Sequence, residues 1–544
     1  MKKFQLYAAG ISASCALFTP WALLLAVLCL ANWSAIGATL GTSYPEINTT
    51  TLANYVSANA YVQEQLWVRD VLDTNGANYQ SCPFADNMTG RIKIGKATSE
   101  TELKKAIVEI TDTSKVNGDT INIFATAGIG GEGATGDNVR NGTEAQIVTG
   151  NMQVKIGNQI FAVGYKQSAV DKSMIGREIL KNAKLQEGLR NLHQTRKNDT
   201  IIYRMMQAAG YGVASNASGS VQMSAGTPSA NFIYPVGVTN RAALRSANTL
   251  DLPTIMAAGE VLPGQGALPM STAKDGGGSV AELFIMLTPD KAVYDLESDP
   301  TLTQVLQYAW DRGKTNPIFA GGLTDIRGHG LYRWIHRDHA NYNAIGSPLM
   351  PRAKLSVATN GSTTTLNGGG VLNGASSDTT AQWFRYFSNA PVIMYGGINN
   401  IAATTHDTRY VMTIGSGGYS IWSYTVNNGN ALTVTTVSST VSYVHNPGDL
   451  IVECNAAGAI LCRSIMFGAQ AVVGGNGVIM GTPAGPQQGV LRRQELDLGN
   501  DVAIGVEGCA GYAAVSRAGD NTFPGFVIVE HALSANAVPG APTV

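Results

Sequence analysis

Charge is scarce in this chain. Asp, Glu, Lys and Arg make up 14% of its 544 residues, where an average soluble domain has about a quarter. The two signs balance, at 37 Lys plus Arg against 38 Asp plus Glu, which excludes a nucleic-acid coat held on by net basicity. Lysine stops altogether at Lys354. Only one long apolar run exists, near the N-terminus, which excludes a polytopic membrane protein. Apolar residues nevertheless make up 44%, too many for a disordered chain. Cysteine is sparse, and Cys82, Cys454, Cys462 and Cys509 show no CxxC spacing, so neither a zinc knuckle nor a redox motif is supported. Cys454 and Cys462 read as buried free thiols, with a pairing between them as the alternative. Catalytic signatures are missing as well. No nucleophile elbow, HExxH or paired-carboxylate pattern stands in a supporting context. No catalytic, cofactor-binding or metal residue is therefore nominated, and no enzyme activity or cofactor is expected.

Glycine is what the chain has in excess, at 62 residues. A surface this poor in charge is hazardous for a free monomer and suits a chain that ends up against copies of itself. Gly128–Asp137 is the densest glycine segment. It lacks the Gly-Lys-Ser/Thr ending of a phosphate loop and reads as a flexible extended loop.

The N-terminus carries Lys2-Lys3 and then Trp21–Ala31, an apolar run of signal-peptide length, with Ile36-Gly37-Ala38 as a passable cleavage site. Residues 1–38 read as a signal-like leader or a mis-called start. Further on, Thr50–Leu72 and Glu100–Thr113 have helical spacing. Val154 and Ile156, then Phe161, Val163 and Tyr165, alternate on either side of Gly157-Asn158, which predicts a hairpin on an extended arm. Gly176–Ala209 is the longest helix candidate, with a break suggested at Asn198-Asp199. Helix is also expected near Ala242–Met256 and Leu302–Trp310, and strand at Ala281–Leu287 and Leu331–Ile335.

Between Ser356 and His445 the composition shifts to Ser, Thr, Gly and Asn, with four formal charges: Asp378, Arg385, Asp407 and Arg409. Alternating runs there predict an inserted β-domain, autonomous and bearing exposed aromatics such as Trp383, Trp422 and Tyr424. His329, His336 and His339 cluster with Asp338, but Arg333 and Arg337 crowd them with positive charge. A strand followed by a polar loop is the plainer reading than a metal site.

Several blocks, in order, resemble one family. They are Gly133–Asp137 with Asn141–Ala145, Arg177–Met206, Phe284–Asp290 with Tyr294–Leu296 and Asn316–Gly321, Arg463–Ala471, and Glu495–Asn500 with Phe526–Val529. They are similar to the major capsid proteins of tailed phages of the enquatrovirus (N-four-like) type. Three features depart from the pattern: Thr288 stands in place of a usual His, the Ser356–His445 insertion is foreign to it, and so is the leader. The resemblance implies an α+β, Hong Kong 97-like major capsid fold. It implies an N-terminal arm (39–127), an extended E-loop hairpin (128–175), a peripheral domain with a long spine helix (176–280), and an axial domain in two parts (281–355 and 446–544, with the C-terminal tail) around the inserted all-β domain (356–445). The implied function is a self-assembling icosahedral shell around double-stranded DNA, located in the virion and assembled in the host cytoplasm. The implied partners are further copies in hexamers and pentamers, portal, scaffolding and decoration proteins, and packaged genomic DNA touched non-specifically on the inner face. The competing readings are a secreted β-rich cell-surface or adhesion protein, suggested by the leader, and a hydrolase using the histidines.

Overall fold

The computed structural model describes residues 88–92, 100–111, 120–126, 149–166, 183–209, 231–274, 280–304, 325–326, 329–334, 347–368, 384, 387, 408–427, 431–439, 443–477, 488–496, 501–516, 523–538 and 541. All belong to the unit Arg69–Val544; the other unit, Met1–Val68, lies outside them. The leader, the helix expected over 50–72 and the glycine-dense segment 128–137 thus lie outside the described residues.

The strands in chain order are β1 (Thr89–Ile92), β2 (Ile107–Ile110), β3 (Thr120–Thr126), β4 (Thr149–Lys155), β5 (Gly157–Lys166), β6 (Phe232–Ile233), β7 (Ser271–Lys274), β8 (Val280–Leu283), β9 (Ile285–Pro289), β10 (Asp325–Ile326) and β11 (His329–Trp334). They continue with β12 (Arg352–Lys354), β13 (Thr365–Asn367), β14 (Arg409–Gly415), β15 (Gly418–Asn427), β16 (Ala431–Ser439), β17 (Leu450–Cys454), β18 (Leu461–Phe467), β19 (Val472–Asn476), β20 (Gln488–Leu496), β21 (Asp501–Ala514) and β22 (Phe526–Ala532). The helices are α1 (Glu100–Leu103), α2 (Ala183–Ala208), α3 (Leu252–Gln265) and α4 (Asp290–Glu297).

A mixed sheet ordered β10-β11-β9-β18-β22-β6 forms the middle layer. Every residue of β18 and β22 is buried, because both faces are covered. Alternate side chains divide between two cores, as the period of two demands. Cys462, Met466, Val527 and Val529 face α3, α4 and a second sheet. Ile465, Phe467, Phe526 and Ile528 face α2 and a third sheet. Asp251 caps α3 by accepting from the Thr254 N–H at 2.9 Å. Gly266, at φ 88°, closes the same helix in the left-handed conformation.

The helix α2 is about 39 Å long at 1.5 Å per residue. It runs unbroken through Asn198-Asp199, contrary to the expected interruption. Asp199 is paired with Arg196 at 3.5 Å, and the Thr195 and Thr200 hydroxyls donate back to the Asn191 and Arg196 carbonyls. The polar side chains are thus satisfied without breaking the helix. Ile201, Ile202, Met205 and Met206 then bury its C-terminal half in the core.

Three expectations need correction here. Glu100–Thr113 is not one helix: α1 gives way to β2, where Ile107, Val108 and Ile110 suit a strand flanked in parallel by β1 and β19. The helix near 242–256 is a 3-10 turn at Arg241–Ala243, and α3 starts later. The Val154–Tyr165 hairpin does not form. β4 pairs with β3, from Thr120↔Lys155 to Thr126↔Thr149, whereas β5 pairs with β21 over its whole length. The chain bends at Ile156 and passes between sheets instead of turning back. Glycines make room for that bend: a Cβ at Gly511 would collide with the Lys155 carbonyl oxygen, and one at Gly475 with the Ile121 side chain. The β3–β4 ribbon is seated there by Met152 and Val154 on Val473.

The charge-poor segment supplies most of an antiparallel sheet ordered β12-β17-β14-β15-β16-β13. It is not autonomous. Its edge and neighbour strands β12 and β17 lie outside residues 356–445, and Met412, Ile414 and Ile421 share a core with Met466 and Val527. Its opposite face carries Val411, Trp422, Tyr424, Leu432 and Ile451, packed with Leu366, Phe384 and Phe387. Trp422 and Tyr424 are therefore buried, at 0% and 1% exposure, and not displayed as expected; Trp383 lies outside the described residues. Trp422 Nε1 donates to Thr413 Oγ1 at 3.0 Å, which satisfies the indole inside the core.

Candidate functional site

A few of the scarce charged residues lie in the interior, where they brace one layer against another. Arg463 on β18 is fully buried. It donates through Nη2 to Glu453 Oε2 on β17 at 2.8 Å and through Nε to Glu530 Oε2 on β22 at 3.0 Å. Arg241 closes on the same carboxylate in bidentate fashion, at 2.6 Å and 2.8 Å. Burial works to raise the Glu530 carboxyl, but the Arg241 and Arg463 guanidiniums overcome it and hold the group at about 2. Asn455 adds a bond from Nδ2 to the Leu244 carbonyl at 2.7 Å. The middle sheet, the charge-poor sheet and the 231–250 segment are thereby joined at one point.

A second brace fixes α2. Lys197 Nζ meets Glu109 Oε1 on β2 at 2.6 Å. Tyr512 donates to the same oxygen at 3.0 Å, and Asn476 Nδ2 donates to Glu109 Oε2 at 3.3 Å. Burial pushes the Glu109 carboxyl upward, yet Lys197 and these donors leave it below the usual range. His193, one turn earlier on α2, is lowered to about 4 by burial and by the neighbouring Lys197 charge.

A third cluster looks like a hydrolytic triad. His445 Nε2 lies 2.7 Å from Ser420 Oγ, and its Nδ1 lies 3.2 Å from Asp449 Oδ2. Ser420 has 0% exposure and also contacts Ser439 Oγ at 2.8 Å. A nucleophile needs a reacting atom within reach, and this hydroxyl faces only protein. The trio locks the 443–449 loop onto β15.

His329 stands at the start of β11, half-buried. Its Nδ1 accepts the Phe284 N–H at 3.4 Å, and its ring packs on Phe284 and into space left by Gly259 of α3. His336, Asp338 and His339 lie outside the described residues. Among the described residues no group of three or more His, Cys, Asp and Glu could hold a metal. Cys454 and Cys462 are free and buried, and burial raises both thiols. No described helix is long and apolar enough to cross a membrane. Sequence reasoning missed both ion-pair braces. Arg463 and Glu530 sit in otherwise apolar strands, and a lone charge inside such a run was the available signal.

What this architecture offers is a layered body with a two-stranded ribbon seated on one of its sheets. Residues 60–326 match the family model described as phage capsid protein. The chain is a phage capsid protein. No curated protein sequence matches it. Among solved structures, the capsid asymmetric unit of cyanophage Pam1 is 14% identical, with a TM-score of 0.50, covering 88% of this chain and 98% of that one. The Ralstonia phage GP4 capsid is 14% identical at a TM-score of 0.46, covering 87% and 95%. The head of Helicobacter pylori bacteriophage KHP40 is 12% identical at 0.47, covering 88% and 97%. The first of these carries the fold comparison. As a capsid protein, the chain is a structural component of the virion, one subunit of a multi-subunit shell.

Proposed function

We propose that the chain is the major capsid protein of an enquatrovirus-like tailed phage, with the Hong Kong 97-like arrangement. On this reading α2 is the spine helix and the β3–β4 ribbon is the E-loop. The E-loop then begins near Thr120, earlier than glycine content alone suggests, and β5 belongs to the body. The 281–355 and 446–544 segments form the axial domain, with the charge-poor sheet built onto it. Copies form hexamers and pentamers around packaged DNA, with portal and scaffolding proteins, in the host cytoplasm. The supporting observation is the ribbon rooted on Gly475, Gly511 and Val473 beside a long buried helix. The root of the ribbon is packed into its own subunit through Met152 and Val154, so a neighbour would be met by the part beyond that root. Expression followed by cryo-EM tests the reading. Closed shells with β3–β4 lying across an adjacent subunit are expected, and monomers under every assembly condition would overturn it.

A further inference from the structure

Three of the most exposed large apolar residues belong to one end of the charge-poor sheet. They are Val357 at 46%, Val437 at 45% and Val444 at 58%. Hydrogen bonds hold that end together. The Thr359 N–H donates to the His445 carbonyl at 3.0 Å, the Thr359 hydroxyl to the Tyr443 carbonyl at 2.7 Å, and the Tyr443 N–H to Ser439 Oγ at 2.9 Å. Val357, Val444 and Val437 flank these anchors along the chain.

The strand beside them breaks its own pattern. β16 alternates buried and exposed up to Val434, after which Thr435, Thr436, Val437 and Ser438 are all exposed. On its outer side β13 pairs only with Ala431–Thr433, and the last bond there runs from the Val434 N–H to the Thr364 carbonyl. On its inner side, Thr436 pairs with Trp422 and Ser438 with Ile421, which leaves Val437 as the bulged residue. Thr435–Ser438 is therefore a strand edge unpaired on its outer side among the described residues. Proteins usually blunt such an edge with charge, proline or a bulge. Here the bulge at Val437 is present, but Tyr410–Gly448 contains no Asp, Glu, Lys or Arg, and Thr433–Ser442 no Pro.

We propose that this edge, with Val357, Val437 and Val444 around it, is a two-fold contact between copies of this chain, in which Thr435–Ser438 of one copy lies antiparallel to the same residues of another. The inference rests on the capsid reading and adds the contact. A charged partner gains nothing from a surface without charge, whereas a second copy meets it without repulsion. An edge applied to itself antiparallel is self-complementary, as a two-fold contact requires, and a shell of many copies supplies such neighbours. The three valines then rim the joint and exclude water from it.

The test uses Val437→Lys and Val437→Glu in the full chain, with particle yield read by sedimentation and electron microscopy. Each variant alone should lower yield at least about tenfold, the scale of a lost specific contact, while free subunits melt as wild type does because Val437 is exposed. An equal mixture of the two should restore assembly, since opposite charges then face each other across the two-fold. Val444→Lys and Val444→Glu give a second pair if a Val437 variant folds poorly. Wild-type yield from either single variant would overturn the proposal, with the capsid reading untouched. Blocked singles that the mixture does not rescue would also overturn it, because the partner would then be a different molecule. Wild-type subunits that never assemble would overturn the capsid reading itself.

Discussion

Arg463 and Glu530 are register partners across β18 and β22, and their side chains meet at 3.0 Å with neither exposed to solvent. Together with Arg241 and Glu453 they hold one another's charges in the interior. Replacing Arg463 with Met leaves Glu453 and Glu530 buried near each other without their shared cation. Breaking a buried pair from one side costs about 3–5 kcal/mol. Urea denaturation of R463M subunits should show a loss of that size, and Glu530→Gln, which takes from Arg241 and Arg463 the carboxylate they share, should be destabilising as well.

Stability should fall on acidification in two stages. His193 and His531 are both held at about 4. Unfolded chains take up these protons below about 6.5 while the folded protein does not, so stability drops as pH falls from about 6.5 toward 4. Glu530 acts lower. Its folded value of about 2 lies beneath the unfolded 4.5, so its contribution of about 3 kcal/mol is present above pH 4.5 and lost toward pH 2. Denaturation midpoints measured across this range should show the first decline already at about pH 6, and His531→Asn should flatten it.

Excising the charge-poor sheet should not leave an intact remainder. Met412, Ile414 and Ile421 cover the same core as Met466 and Val529. A Gly/Ser linker in place of residues 356–445 would expose that core, and insoluble protein is the expected product. Within the sheet, Trp422→Ala should cost about 3–5 kcal/mol in chemical denaturation.

Gly511→Ala should displace the root of the ribbon, since the new Cβ meets the Lys155 carbonyl oxygen. Hydrogen exchange in 120–126 and 149–155 should quicken, while exchange in β18 and β22 stays at the wild-type rate.

Local pattern carried the sequence reading a long way and then stopped at tertiary choices. Period-two alternation located β14, β15 and β16, and helical spacing located α2. Alternation marks which side chains share a face, not whether that face is wet; Trp422 and Tyr424 came out buried because Phe384 and Phe387 lie over them. Gly157-Asn158 has the composition of a turn, yet a partner strand more than three hundred residues away decided its conformation. The Lys197–Glu109 pair was illegible for the same reason. Nothing nearby in sequence tells a lysine on a helix that a carboxylate on a distant strand will face it.

The long strand β21 has a consequence for how the polypeptide reaches this state. It pairs with β5, β19 and β20, and β19 in turn is the neighbour of β2. A ribosome delivers β1, β2 and β5 long before any of these partners exists. Until residues 472–514 emerge, the early strands keep open edges, and α2 has no sheet to lie on. Such non-local pairing slows folding and prolongs the aggregation-prone interval. The sheet around β21 therefore closes only after residues 472–514 have been made, and chains truncated before β21 are expected to aggregate.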